Sequence, residues 1–161
     1  MPTFSERLLS AIAEEAPRLE AISEQSAAAK PGGPGSWSKK QELGHLIDSA
    51  TNNRVRFVTA ALAGEYAGPS YEGMGWVDLG GYAETPWRDL IGLWSRLNRA
   101  LVTVTDRILP DRLSAPCRIG GAAPVTLEFV IDDYILHMQH HLDHILARDH
   151  MTDYPCAAIG V

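Results

Sequence analysis

The chain has 161 residues and a formal charge of −6, because 14 Lys and Arg residues stand against 20 Asp and Glu residues. This length suits a single domain over residues 1–161, and the 45% hydrophobic and 21% charged content excludes a disordered chain. The acidic balance argues against nucleic acid as a partner, and no apolar run approaches the roughly 20 residues that a membrane span needs.

Four segments carry helical periodicity, and they cover residues 5–22, 38–63, 86–106 and 126–148. A connector rich in Pro and Gly separates the first from the second. Ser38 and Gln41 form a capping-box pattern that predicts the start of the second helix, and Gly64 predicts its end. Thr85 is the expected N-cap of the third helix, with Pro86 at the first helical position.

Two stretches between these helices show little periodicity. Residues 68–84 form a long loop rich in Gly and aromatic residues, and long loops in compact domains are often functional. The segment before the fourth helix is irregular, with a short extended piece expected at residues 117–119. The sequence therefore predicts an all-α four-helix bundle with a long aromatic loop between helices 2 and 3.

Four of the six histidines lie within eight residues of the predicted fourth helix: His137, His140, His141 and His144. At about 100° per residue, the apolar residues of this helix define a narrow arc that faces the core. His137 and His141 lie on the flank of that arc, His144 lies farther round, and His140 faces solvent. A metal held inside the bundle therefore favours the pair His137 and His141.

A third ligand must come from elsewhere, because a metal site in a protein needs at least three. His45 lies early on the second helix, but off the centre of its apolar stripe, and His150 lies beyond the periodic part of the last helix. Spacing alone thus leaves His45 a possible ligand. It also leaves open that the histidines are ordinary surface or hydrogen-bonded residues.

Three blocks of the sequence are distinctive: GHLIDSATNNRVRF at residues 44–57, PSYEGMGW at residues 69–76, and YILHMQHHLDHI at residues 134–145. They resemble, in the same order, the second-helix motif, the aromatic loop and the last-helix motif of the DinB/YfiT-like family of metal-dependent enzymes. The blocks extend over most of the chain. Any one of them would be a weak signal, but together they are specific.

The resemblance implies a four-helix bundle that binds a divalent metal, zinc or nickel, through His45, His137 and His141. It also implies a homodimer. The implied activity is hydrolysis of a small-molecule substrate by water activated on the metal. The alternatives are a transferase or isomerase that uses a low-molecular-weight thiol, a non-catalytic module that binds a metal or small ligand, and a bundle whose metal is structural.

Asp48, Asp133 and His144 are the catalytic candidates. Histidine ligands usually donate their other N–H to a carboxylate or carbonyl, and Asp48 follows His45 by three residues while Asp133 precedes His137 by four. His144 lies one turn from His141 and could transfer protons. Each of the three is equally consistent with an ordinary solvated or hydrogen-bonded side chain.

The aromatic loop supplies Tyr71, Trp76 and Tyr82, which could line a pocket near the metal or simply pin the loop to the bundle. Glu42 and His45 match one Glu-x-x-His element of di-iron bundles. That chemistry needs a second such element and two further glutamates. The fourth helix has none, so we reject a di-iron site.

The two cysteines, Cys117 and Cys156, are expected to be ordinary thiols of an intracellular protein, since nothing in the sequence indicates secretion. The N-terminal residues are too acidic for a signal peptide. The cytoplasm is therefore the expected location.

Overall fold

The computed structural model describes residues 1–30, 32–33 and 36–155, so Cys156 lies outside the described residues. The described residues form six α-helices: α1 (Phe4–Glu20), α2 (Glu24–Ala28), α3 (Lys39–Ala63), α4 (Gly73–Gly80), α5 (Trp87–Arg107) and α6 (Leu127–Ile145). They also form three short strands: β1 (Tyr66–Gly68), β2 (Pro116–Ile119) and β3 (Val125–Thr126). A single 3-10 turn at Pro110–Arg112 follows α5.

The four long helices form the bundle that the sequence predicts, and the fold-class prediction is confirmed. α1 packs on α5 and α6, and α3 packs on both α5 and α6. The predicted ranges agree closely with the observed ones. The largest difference is at the end of α6, which stops at Ile145 rather than at residue 148.

The signals at both ends of α3 are confirmed. The Ser38 hydroxyl accepts a hydrogen bond from the Gln41 backbone N–H, and the Gln41 side chain accepts one from the Ser38 N–H, which is a complete capping box. Gly64 ends the helix with a φ of 81°, a left-handed conformation that glycine adopts without strain. These local signals fix where the helix that carries His45 begins and ends.

The predicted N-cap of α5 is wrong by one residue. Pro86 occupies the cap position, and the Thr85 hydroxyl instead donates a hydrogen bond back to the carbonyl of Gly81. The first helical N–H, that of Trp87, donates to Glu24 on α2 at 2.7 Å. A tertiary contact therefore replaces the side-chain cap that the sequence suggested.

The regions predicted as loops contain more structure than expected. α4 lies inside the aromatic loop, and the Glu72 carboxylate caps it by accepting the N–H groups of Met74 and Gly75. β1 pairs in parallel with β2, from Tyr66 opposite Cys117, and β2 pairs antiparallel with β3. The expected extended piece at residues 117–119 is confirmed as part of β2, whereas the small sheet was not predicted.

An apolar core fills the space between the four long helices. Its largest fully buried side chains include those of Trp94, Phe57, Leu101 and Tyr134. Burial of each large apolar side chain contributes about 1.5–3 kcal/mol to stability. Among the helices that the structure describes, none combines the length and the apolar character that crossing a bilayer requires.

Candidate metal centre

Three imidazole rings from two helices converge beside the apolar core. His45 lies in the second turn of α3, and His137 and His141 lie one turn apart on α6. Nε2 of His45 and Nε2 of His137 are 3.1 Å apart. The His141 ring centroid lies 4.8 Å from that of His45 and 4.6 Å from that of His137. One ring nitrogen from each histidine lies within 4.8 Å of the others.

Burial keeps two of these rings neutral. His45 and His137 are 7% and 4% exposed. Burial, supported by the neighbouring His141, lowers the pKa of His45 to about 4 and that of His137 well below its ordinary value. Both imidazoles therefore carry a free lone pair at neutral pH.

Glu42 holds the third ring. Its Oε1 accepts a hydrogen bond from Nδ1 of His141 at 3.0 Å and another from Nδ1 of His144 at 3.1 Å. Burial alone would raise the pKa of Glu42, but the hydrogen bond and charge of His141, together with His144, lower it. Glu42 is thus a carboxylate that orients His141 and leaves Nε2 of that ring available.

Asp48 is bonded to a tyrosine rather than to a histidine. The Tyr82 hydroxyl donates to Oδ1 of Asp48, and the Tyr82 ring packs directly over Gly44, the residue before His45. Burial raises the pKa of Asp48, although the hydrogen bond from Tyr82 opposes the shift. Within the described part of the chain, Oδ2 of Asp48 and Nδ1 of His45 have no hydrogen-bond partner.

Asp133, one turn before His137, is likewise hydrogen-bonded to a tyrosine rather than to a histidine. Tyr154, from the segment after α6, donates its hydroxyl to Oδ2 of Asp133 at 3.2 Å. The Tyr154 ring packs edge-to-face on His137, with 5.4 Å between ring centroids. Burial raises the pKa of Asp133 to about 6, against the hydrogen bond from Tyr154. Nδ1 of His137 has no hydrogen-bond partner among the described residues.

The remaining loop aromatics, Tyr71 and Trp76, contact each other and do not line the opening of the site. Their ring centroids lie 5.4 Å apart. The Tyr71 hydroxyl is buried near Ser49, but no hydrogen bond of normal geometry joins them. Burial raises the pKa of Tyr71 to about 12, so the phenol is protonated at neutral pH.

An open cavity of about 380 Å³ lies beside His141 and His144. Its lining consists of Trp37, Glu42, Met74, His141 and His144. The side chain of His144 is 51% exposed at this mouth. Neither Tyr71, Trp76 nor Tyr82 belongs to the lining, and Trp37, which packs on His45 at 5.1 Å between ring centroids, is the aromatic wall instead.

The residues present fit a divalent transition metal. Two nitrogens bound to one zinc ion at about 2.0–2.1 Å lie roughly 3.3–3.4 Å apart in ideal tetrahedral geometry. The Nε2 atoms of His45 and His137 are 3.1 Å apart, which is close to this spacing. The third imidazole has its outer nitrogen bonded to a carboxylate, the usual arrangement for a histidine ligand. The site thus combines a suitable donor set with suitable spacing.

Sequence reasoning did not assign three residues of this site: Trp37, Glu42 and Tyr154. Glu42 was considered only as a di-iron ligand, although its position one turn before His45 on the same helix was a signal for an orienting role. Tyr154 gave no signal, because the chain after α6 has no periodicity that would return it to the bundle. His140 is not fully solvated as expected: its Nδ1 lies 3.0 Å from the carbonyl of Thr152.

A solved structure similar to this one is that of YfiT from Bacillus subtilis, with a TM-score of 0.76 and 20% sequence identity over 90% of this chain and 84% of that chain. YfiT is described as a probable metal-dependent hydrolase with an unusual four-helix bundle topology. At this identity the likeness establishes the fold alone. A search of curated proteins gives no match. The family model of the DinB superfamily matches residues 8–145, and the chain therefore belongs to the DinB superfamily.

Proposed function

We propose that the protein is a metal-dependent hydrolase that binds one divalent metal through His45, His137 and His141. The observation that carries the proposal is the convergence of three imidazoles from two helices, with 3.1 Å between the Nε2 atoms of His45 and His137. Zinc and nickel both accept imidazole ligands. We therefore propose zinc or nickel as the metal and a small molecule as the substrate.

The chain's own residues would prepare the site in three ways. His45 and His137 offer neutral nitrogens at physiological pH because burial lowers their pKa. Glu42 fixes the ring of His141 by accepting its Nδ1–H. When bound, the metal supplies Lewis acidity, which polarises a carbonyl group and makes water nucleophilic near neutral pH.

The three catalytic candidates differ in their access to solvent, which decides which of them can exchange protons with it. Of the three catalytic candidates, His144 is exposed at the mouth of the cavity, whereas Asp48 and Asp133 are 5% and 6% exposed. We assign exchange of protons with solvent to His144. Asp48 and Asp133, each bonded to a tyrosine hydroxyl, would hold the inner side of the site in place.

The metal site is tested by analysis of untagged protein. We expect about one zinc or nickel ion per chain. Substitutions His45→Ala, His137→Ala and His141→Ala should each remove most of the metal, since two imidazoles bind weakly. The control is His150→Ala, an exposed histidine outside the group, which should keep the full metal content. Full metal content in any of the three ligand variants would contradict the proposal.

The reaction is tested by turnover of the metal-loaded protein on two panels of substrates. Hydrolysis of esters or amides that is lost in His137→Ala supports the proposal. Transfer to a low-molecular-weight thiol without hydrolysis would replace it by the thiol-transferase alternative. Stoichiometric metal with no turnover on either panel would favour a binding module.

Dimerisation is a separate proposal that rests on the family resemblance. Light scattering during size-exclusion chromatography should give about twice the mass of the 17.6 kDa chain. A monomeric mass across the micromolar range would contradict it.

A further inference from the structure

The chain after α6 does not leave the bundle. The backbone reverses at Ala147, a non-glycine residue with a φ of 52°. The residues Arg148–Tyr154, which we name the C-terminal strap, then run back along α6 toward the imidazoles. Along this path Thr152 lies beside Asp143 and His140, and Tyr154 lies beside His137.

The strap is anchored by a network of charged hydrogen bonds. The Asp143 carboxylate accepts the Thr152 N–H at 2.7 Å and the Thr152 hydroxyl at 2.6 Å, and it also accepts Nη1 of Arg148 at 2.7 Å. Nη2 of Arg148 reaches Glu15 on α1 at 2.7 Å. Asp143 is 4% exposed and Glu15 is 7% exposed. Bonds of this kind hold a segment more firmly than exposed ion pairs do.

The anchored strap sets the position of one aromatic ring. Tyr154 packs edge-to-face on His137, with an interplanar angle of 65°, and it also contacts His140 at 5.9 Å between ring centroids. Its hydroxyl donates to Asp133, one turn before His137 on α6. Tyr154 therefore touches a proposed metal ligand with its ring and the neighbouring carboxylate with its hydroxyl.

This contact matters because the nitrogen of His137 that faces away from His45, Nδ1, has no hydrogen bond to orient the ring among the described residues. This Nδ1 is buried, whereas His141 has Glu42. The torsion that turns an imidazole about its Cβ–Cγ bond is broad, so an unsupported ring can direct Nε2 away from His45. Packing against a fixed aromatic edge limits that rotation.

We propose that Tyr154 is a positioning residue for His137 and that the C-terminal strap is a structural part of the metal centre. This inference rests on the proposed function. The match to the family model ends at residue 145, so the strap lies outside the part of the chain that defines the family. The ring of Tyr154 provides for His137 the orientation that Glu42 provides for His141.

The test compares Tyr154→Leu with Tyr154→Phe. The readouts are the zinc dissociation constant and the visible absorption spectrum of the cobalt-substituted protein, which reports ligand geometry. Loss of a side chain that orients a metal ligand typically costs 10–100-fold in affinity, and we expect about 10-fold weaker binding and an altered spectrum for Tyr154→Leu. Tyr154→Phe keeps the ring and should stay within about threefold of wild type.

A second variant releases the strap without changing Tyr154. Asp143→Asn weakens the ion pair with Arg148 and the bonds to Thr152, and we expect it to alter the cobalt spectrum in the same direction. The matched control is Asp132→Asn, which removes an ion pair with Arg7 elsewhere on α6 and should leave the spectrum unchanged. Wild-type affinity and spectrum in both Tyr154→Leu and Asp143→Asn would overturn the inference.

Whether Tyr154 orients His137 can be tested independently of metal binding. If the wild-type protein binds none of zinc, nickel and cobalt, the proposed function is overturned. Nuclear Overhauser contacts between the ring protons of His137 and His45 in the metal-free protein then decide the role of Tyr154. Loss of these contacts in Tyr154→Leu that Tyr154→Phe restores supports positioning, and unchanged contacts overturn it.

Discussion

The two long helices that carry the imidazoles bury very different side chains from the two that do not. α1 and α5 bury mainly apolar residues, and among the described residues their buried polar side chains are Glu15 and Asn98. α3 and α6 bury a series of polar and charged ones: Lys40, His45, Asp48, Ser49, Asn53, Arg56, Asp133, His137 and Asp143.

This difference in buried side chains indicates that the two pairs of helices have different roles in the bundle. Burying a polar group costs free energy unless hydrogen bonds compensate it. Among the described residues, three buried atoms on α3 and α6 have no partner, against one on α5, Nε1 of Trp94. Such costs are tolerated at sites that act on a ligand. α1 and α5 are thus expected to stabilise the fold, and α3 and α6 to retain groups that chemistry requires.

The largest expected effect is on the free energy of unfolding, and it distinguishes a core residue of α5 from an imidazole of α6. Leu101 is fully buried, and Leu101→Ala should lower the free energy of unfolding by about 2–5 kcal/mol. His137→Ala in metal-free protein should cost less, about 1 kcal/mol, because removal of Nδ1, which has no partner among the described residues, offsets part of the lost packing and of the lost contact with Nε2 of His45. Urea denaturation measures both, and equal losses would contradict the division between the two helix pairs.

The second prediction concerns the carboxylate that orients His141. Glu42→Ala should weaken zinc binding about 10–100-fold, since the ring of His141 loses the acceptor for its Nδ1–H. Isothermal titration measures the affinity, and Glu14→Ala on α1, a glutamate outside the site, is the control. Unchanged affinity in Glu42→Ala would show that the packing of α6 alone orients His141.

The third prediction compares two glycines inside helices of the two pairs. A Cβ atom at Gly44 on α3 would overlap the ring of Tyr82, which bonds to Asp48, whereas a Cβ atom at Gly92 on α5 would meet only the end of Arg96 at 3.6 Å. Gly44→Ala should therefore destabilise the protein by about 1–3 kcal/mol. Gly92→Ala should stabilise it by up to about 1 kcal/mol through helix propensity. Thermal unfolding measures both, and stabilisation by Gly44→Ala would mean that Tyr82 is not held in place.

Features that depend on residues close together in the sequence could be predicted, whereas features that depend on contacts between distant residues could not. The capping box of Ser38 and Gln41 and the helix end at Gly64 are local, and both were predictable. The sheet was not, because β1 and β2 are separated by about 50 residues and contribute three and four residues respectively. α4 was missed because eight residues rich in glycine carry too little periodicity for a helix to be inferred.

The same reasoning applies to the candidate site. His137 and His141 share one face of one helix, so their pairing follows from helix geometry. His45 could not be placed in this way, because α3 is buried on more than one side and its residues 43–50 are all buried. Tyr154 depends on a chain reversal at Ala147 and on the ion pairs of Arg148, which no periodic pattern encodes.

The smallest expected effect concerns the pH dependence of stability in the polar half. Burial raises the pKa of Asp133 to about 6 against the influence of Tyr154 and Arg56, with Asp132 adding to the rise. Because the folded protein binds this proton more tightly than the unfolded chain, the free energy of unfolding falls as pH rises from about 4 to about 6. Asp133→Asn removes this term and keeps an acceptor for Tyr154, so it should gain about 1–2 kcal/mol over wild type by pH 7.

The measurement is urea denaturation of metal-free protein at a series of pH values, with a chelator present throughout. The difference between Asp133→Asn and wild type should be near its minimum at pH 4 and grow to a plateau above pH 6. Asp132→Asn removes the neighbouring charge that adds to the rise and breaks the ion pair with Arg7, so its pH-dependent gain should be smaller than that of Asp133→Asn. A difference in stability between Asp133→Asn and wild type that stays constant with pH would mean that the Asp133 carboxyl has an ordinary pKa. Burial of Asp133 would then carry no electrostatic cost, and this residue would no longer distinguish α6 from the helices that stabilise the fold.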